Sequence, residues 1–226
     1  MNLAGPTRVE RLKRWRVLQP LRPAVRLVRR GALRLERRAR LVWWQRLRGR
    51  PPIPPPPEYK VAVILDYARR FHTSTFIETG TYLGDTIEAV RGAFGRVWSV
   101  ELDDALYEAA ARRFAPHDHV TVVHGDSSEV LPRILASEPG SILFWLDGHW
   151  SGGVTARGDL DTPIVAELEA ILARAGQDDV ILIDDAREFA AGDYPPVPAL
   201  AAMIAARRPG WRFAVKDDII RAHRRA

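Results

Sequence analysis

Residues 75–86 read Thr75-Phe76-Ile77-Glu78-Thr79-Gly80-Thr81-Tyr82-Leu83-Gly84-Asp85-Thr86. A short apolar run with β-branched residues closes on a carboxylate and a polar turn, and helical periodicity then begins at Asp85. This predicts a strand over 75–78, a loop, and a helix over 85–93. Two glycines separated by three residues permit a tight turn and let a ligand approach the backbone closely, which is the form of a cofactor loop. The G-x-G-x-x-G spacing of nicotinamide and flavin sites is missing, so a dinucleotide is disfavoured. Turn glycines between a strand and a helix also occur in α/β proteins that bind nothing, so the loop needs a second signal.

The same alternation continues in both directions along the chain. Strands are expected at 96–101, 120–124, 142–147 and 180–184, with helical stretches at 103–114, 128–137 and 163–174. A further helix at 198–207 leads into 211–215 and 219–223, joined across Lys216-Asp217-Asp218 as a terminal hairpin. No internal repeat is visible. The pattern predicts an α/β, doubly wound Rossmann-like sheet of five parallel strands plus a C-terminal antiparallel hairpin. In such sheets ligands bind beyond the carboxyl ends of the strands, where the strand order reverses, so the polar residues closing each strand are the ones to read.

Glu101 supplies the second signal. It lies 21 residues after Gly80 at the end of the next strand, where a carboxylate can accept hydrogen bonds from both ribose hydroxyls. On Glu78, Gly80, Gly84 and Glu101 the chain resembles a class I S-adenosylmethionine-dependent methyltransferase over about 59–223. The loop is similar to the E-T-G-x-x-x-G form of the macrocin O-methyltransferase family. The resemblance implies that Glu78, Gly80 and Gly84 line the methionine half of S-adenosyl-L-methionine while Glu101 holds its ribose. It also implies that Asp126, in Gly125-Asp126-Ser127, faces the adenine amine. Asp126 has a structural reading of equal weight, since Asp126-Ser127-Ser128-Glu129 fits a helix N-cap with Glu at the third position.

The fourth and fifth expected strands close on Trp145-Leu146-Asp147-Gly148-His149-Trp150 and Leu182-Ile183-Asp184-Asp185-Ala186-Arg187. A carboxylate at the end of an apolar run is costly to bury unpaired. If the two strands pair, their ends lie roughly 5 Å apart, close enough for the carboxylates to share one hard cation. Paired aspartates also cap helices and bind arginines such as Arg187. The resemblance adds a Mg2+ site at Asp147, Asp184 and Asp185. It places the catalytic base two residues after Asp147, where relatives carry an aspartate and this chain carries His149. A neutral histidine near pH 7 can accept a hydroxyl proton, so the chemistry survives the replacement. Residues 150–161 read as a long polar loop suited to be a substrate lid.

Composition narrows the function further. The absence of cysteine rules out disulfides, thiolate metal sites and thiol nucleophiles. The longest apolar run, 199–206, falls far short of the roughly 18–20 residues that span a bilayer, and the arginine-rich start has no apolar signal core. A cytoplasmic location is expected, with peripheral membrane contact as an option. Residues 1–50 hold 16 Lys or Arg against Glu10 and Glu36, a balance of +14, so the rest carries −8 within a net charge of +6. Between the two lies Pro51-Pro52-Ile53-Pro54-Pro55-Pro56-Pro57, a stiff extended spacer. The expected organisation is therefore a basic arm and spacer at 1–57 and a methyltransferase-like domain at 58–226.

The arm suits an anionic membrane surface, with Trp15, Trp43 and Trp44 as interfacial anchors, or a solvated or partner-docked helix. Only Lys13, Lys60 and Lys216 are lysine among 34 basic residues, so the arginine excess is a property of the whole chain. Nucleic acid is disfavoured, because the arm carries no named binding module and the domain is acidic. The leading function is methyl transfer to an oxygen of a small-molecule or saccharide-like acceptor, with Mg2+ assistance. Aminopropyl transfer on a similar fold is the second enzyme class, and a non-catalytic cofactor-fold protein tethered by its arm is the third.

Overall fold

The computed structural model describes residues 51–148, 162–174, 177–189 and 194–225. By its internal contacts Arg50–Ala226 is one compact unit. In chain order its elements are α1 (Pro57–Phe71), β1 (Thr75–Thr79), α2 (Asp85–Val90), β2 (Arg96–Glu101), α3 (Asp104–Phe114), β3 (Val120–His124), α4 (Ser127–Ser137), β4 (Ile142–Leu146), α5 (Ile164–Leu172), β5 (Val180–Ile183), α6 (Val197–Arg207), β6 (Arg212–Lys216) and β7 (Ile219–His223). Short 3-10 turns, Arg91–Ala93 and Ala186–Glu188, follow α2 and β5.

The strands form a single sheet in the order β3-β2-β1-β4-β5-β7-β6. β1 to β5 are parallel, and β7 runs antiparallel to both β5 and β6. This is the doubly wound sheet with a terminal hairpin that the alternation predicts. The chain steps outward from β1 to β2 and β3, then returns to lay β4 against the other side of β1. The strand order therefore reverses between β1 and β4, and the crevice opens there.

Burial explains the seating of the strands. All five residues of β1 and β4 and all four of β5 are buried, as expected of central parallel strands covered by helices on both faces. Successive residues of β4 serve opposite layers. Phe144 and Leu146 pack with Val130, Leu131, Ile164 and Leu168, while Leu143 and Trp145 pack with Ile64, Phe76, Ile87 and Phe114. In the hairpin, β7 is buried throughout and β6 is largely exposed, so the strand with the two isoleucines takes the inner place beside β5. Its polar members are accommodated by aromatic neighbours. The Arg221 guanidinium lies 5.9 Å from the Tyr67 ring centre, and the His223 ring packs against Tyr67 and Phe71 at 5.4 and 4.7 Å.

Helix α1 is absent from the sequence reading, because the proline run hides its start. Pro57 stands at the first helical position, where a missing N–H is harmless and φ is already set. The spacer thus ends at Pro56, which is extended with φ −66° and ψ 152°, and not at Pro57 as the sequence suggests. Val63, Ile64, Ala68 and Phe71 form the buried side of the helix. Two other boundaries shift with consequence. β4 stops at Leu146 and β5 at Ile183, one residue before the aspartates expected to end them, so those carboxylates sit on turns.

The β1–α2 turn and the end of β4 touch at the switch point. Gly80 has φ +84°, and a Cβ there would lie 2.5 Å from the Asp147 carbonyl oxygen. Gly80→Ala should therefore destabilise the domain by on the order of 3 kcal/mol, combining left-handed strain with backbone overlap. Urea denaturation would measure it, and a loss below about 1 kcal/mol would show that the two turns are not in fixed contact.

Candidate functional site

The loop after β1 is held open against β2. The Gly80 and Thr81 amides donate to the Val100 carbonyl at 3.0 and 3.3 Å. Tyr82 and Gly84 both take left-handed conformations, with φ 48° and 73°. At Gly84 a side chain would strike the Phe114 ring, whose nearest carbon lies 2.6 Å from the Cβ position. Glu101, buried just past this loop, is gripped by backbone. Its Oε2 accepts from the Tyr82 amide at 2.7 Å and its Oε1 from the Asp103 amide at 3.0 Å. Each carboxylate oxygen has a second lone pair, so both can still accept a hydroxyl. The loop and the strand-end carboxylate of the sequence reading are thus one constellation.

Two further carboxylates are sealed beneath the crevice. Glu78 is 2% exposed and accepts from Ser99 Oγ at 2.8 Å, while Ser99 Oγ and Thr81 Oγ1 are 2.6 Å apart. Burial pushes its pKa up to about 8, opposed by the Ser99 hydrogen bond and assisted by the charge of Asp147. Glu167 of α5 is 1% exposed and accepts from Ser127 Oγ at 2.6 Å. Burial raises its pKa to about 7 against the pull of its hydroxyl partners. Desolvation disfavours the charged form, so both favour the proton at neutral pH or near it. Asp126 caps α4, its Oδ1 accepting from the Ser128 amide at 2.8 Å and from Ser128 Oγ at 2.7 Å. The capping half of the expectation is realised, and the adenine role is a proposal.

Asp147, Asp184 and Asp185 come together at the ends of β4 and β5, each offering a carboxylate oxygen within 4.8 Å of the others. The convergence depends on the turn after β5. Asp185 has φ 51°, so the chain leaves the strand direction and both neighbouring side chains reach one side. Its amide donates to Asp184 Oδ1 at 2.9 Å. The hairpin secures this turn from below. The Ala186 amide donates to the Asp218 carbonyl and the Arg187 amide to Asp218 Oδ1, both at 2.9 Å. Arg187 also bonds Asp185 Oδ1 at 2.9 Å, which is the arginine pairing that the sequence reading set beside the metal.

One residue of this cluster escaped the sequence reading. Lys60, from the first turn of α1, places its ammonium against Asp184 Oδ2 and 3.3 Å from Asp185 Oδ1. Burial works to lower the Lys60 pKa, but Asp184, Asp185 and Asp147 outweigh it and raise it. Asp184 is raised by burial and by Asp147, with Lys60 pulling the other way. All-oxygen donors on two adjacent turns suit a hard divalent cation, so the donor set fits Mg2+ by type. A small pocket beside the cluster is lined by apolar Leu146, Ile164, Ile183, Phe189 and Tyr194 and by acidic Glu167, Asp184 and Asp185.

The structure brings Glu78, Gly80, Gly84 and Glu101 together, and it brings Asp147, Asp184 and Asp185 together. His149 and the expected lid at 150–161 lie outside the described residues. Lys60 and Glu167 were missed, and each left a trace. Lys60 is one of three lysines in a chain with 31 arginines, and Glu167 falls on the apolar face of its helix with Ile164, Leu168 and Ile171.

No protein-family model and no curated protein sequence matches the chain. Solved structures do. The O-methyltransferase TomG from Streptomyces achromogenes, in complex with SAM, is 17% identical with a TM-score of 0.54, over 77% of this chain and 83% of that one. An O-methyltransferase from Bacillus cereus, in complex with SAH, is 14% identical with a TM-score of 0.55, over 84% and 91%. The SAH-bound methyltransferase PaMTH1 from Podospora anserina is 16% identical with a TM-score of 0.52, over the full length of both. Likeness at this identity establishes the fold alone, a Rossmann-like α/β sheet shared with these structures.

The buried acids set a pH dependence. Glu78 and Glu167 hold their protons in the folded state up to about 8 and 7, whereas unfolded they lose them above about 4.3. Stability should therefore fall as pH rises from 5 to 7, with each group contributing until the pH reaches its folded-state value. Glu78→Gln should flatten this slope in urea denaturation at pH 5, 6 and 7. Equal slopes in the two proteins would show that Glu78 is ionised.

Proposed function

We propose that this domain is an S-adenosylmethionine-dependent methyltransferase that methylates a hydroxyl of a small or saccharide-like acceptor. One observation carries the reading. The Gly80 turn and the Glu101 carboxylate converge at the switch point, joined by the 2.7 Å hydrogen bond from the Tyr82 amide, where a nucleoside can meet backbone and carboxylate together. The crevice gathers the carboxyl groups of Glu78, Glu101, Asp147, Glu167 and Asp184, and a ligand carrying positive charge would favour their ionised forms. The fold shared with SAM- and SAH-bound structures supports the same reading.

S-adenosylmethionine, when bound, supplies an electrophilic methyl group on a sulfonium. Glu101 would hold the ribose hydroxyls, Glu78 with Gly80 and Gly84 the methionine end, and Asp126 the adenine rim. The chain's main task is alignment of the acceptor oxygen in line with the departing sulfur. As the oxygen–methyl bond forms and the sulfur–methyl bond breaks, the hydroxyl proton passes to a base, for which His149 is the sequence candidate. Asp147, Asp184 and Asp185 would hold Mg2+, which supplies orientation and acidification of the hydroxyl. Aminopropyl transfer competes as a reading because the acids lining the pocket suit an amine, whereas the Lys60 ammonium bound to two of them repels one.

Glu101→Ala removes the ribose acceptor and also the clamp on the Tyr82 and Asp103 amides. Calorimetry should show tenfold or greater loss of S-adenosylhomocysteine affinity, the equivalent of roughly 1.5–3 kcal/mol. Unchanged affinity would sink the assignment, and wild-type protein that binds no S-adenosyl compound would sink the methyltransferase reading itself.

A further inference from the structure

We propose that Lys60 is the resident cation of the aspartate cluster, and that its ammonium and a divalent ion exclude one another there. The inference rests on the proposed aspartate site, and it is independent of whether the domain transfers methyl groups.

Lys60 sits in the first turn of α1, where the helix dipole disfavours a cation. A residue that breaks a local rule needs a compensating partner, and here the partners are Asp184 and Asp185 on the turn after β5. The Asp184 side chain is wholly buried and that of Lys60 is 21% exposed, so their pairing is shielded from solvent. Residue type agrees with position. Among 34 basic residues only three are lysine, and one stands where a compact ammonium is required. A compact ammonium reaches Asp184 and Asp185 together, whereas the Arg187 guanidinium beside it divides its bonds between Asp185 and Asp218. The three aspartates offer oxygens within 4.8 Å of one another, and Lys60 and Arg187 already share Asp185 Oδ1 among them. A divalent ion bound by Asp184 and Asp185 would take the same oxygens that Lys60 now holds and would repel its charge. Lys60 must withdraw for the ion to enter.

The bland alternative is that Lys60 only ties α1 to the sheet. Its neighbour Tyr59 makes such a tie, donating through its hydroxyl to Asp217 Oδ2, and so provides the control. Mn2+ binding, read as loss of the free-ion electron paramagnetic resonance signal, should be at least tenfold tighter in Lys60→Met than in wild type. Tyr59→Phe should match wild type. Adding Asp184→Asn to Lys60→Met should reverse the gain. Lys60→Gln, which keeps a hydrogen-bond donor without the charge, serves should the methionine variant not fold. In wild-type protein at saturating Mn2+, amine acetylation read by mass spectrometry should accelerate at Lys60 while Lys216 serves as the internal reference. The proposal is overturned if neither Lys60 variant gains affinity, if Tyr59→Phe gains as much, or if Lys60 labels at the same rate with the site filled. S-adenosylhomocysteine affinity measured on the same proteins keeps this result separate from the methyltransferase reading.

Discussion

The carboxyl edge of the sheet gathers Glu78, Glu101, Asp147, Glu167, Asp184 and Asp185 in and around one crevice, and low-dielectric surroundings make ionised carboxylates expensive to keep there. They are accommodated in several ways. Glu78 and Glu167 are favoured in their protonated forms and receive hydroxyl hydrogen bonds. Glu101 takes two backbone amides. Asp184 and Asp185 share the Lys60 ammonium, with Arg187 as a further partner of Asp185. The rest of the domain is arranged so that these solutions hold at once.

That requirement gives the peripheral elements their roles. The terminal hairpin covers the edge of β5, and through Asp218 it also fixes the turn that aims Asp184 and Asp185 at one point. Helix α1 buries Val63, Ile64, Ala68 and Phe71 in one layer and in doing so carries Lys60 to the acid cluster. The close approach of Gly80 to the Asp147 carbonyl brings the cofactor-type loop and the aspartate turn to a common wall. The sulfonium of the proposed cofactor would lower the cost of ionising the acidic groups around it.

Most of the fold was legible because buried parallel strands announce themselves. Ile142–Leu146 and Val180–Ile183 are unbroken apolar runs, and the helices between them have clear periodicity. The inner place of β7 was not, since it depends on which hairpin strand buries better against β5. Helix α1 was missed because prolines read as spacer up to the residue where one of them starts the helix. In the site, residues tied to local motifs were readable: the glycine loop, Glu101 and the aspartates after β4 and β5. Lys60 and Glu167 were not, because their roles come from contacts across 124 and 40 residues of sequence that no local pattern encodes.

The central claim is that this buried acid is held for a cationic nucleoside ligand, and proton linkage tests it most directly. S-adenosylmethionine should be titrated calorimetrically at pH 7 in two buffers of different ionisation enthalpy. A sulfonium and an ammonium entering beside Glu78, whose pKa stands at about 8 without ligand, should drive its proton off, so binding should be accompanied by net proton release. Absence of binding, or binding with no proton exchanged, would contradict the account.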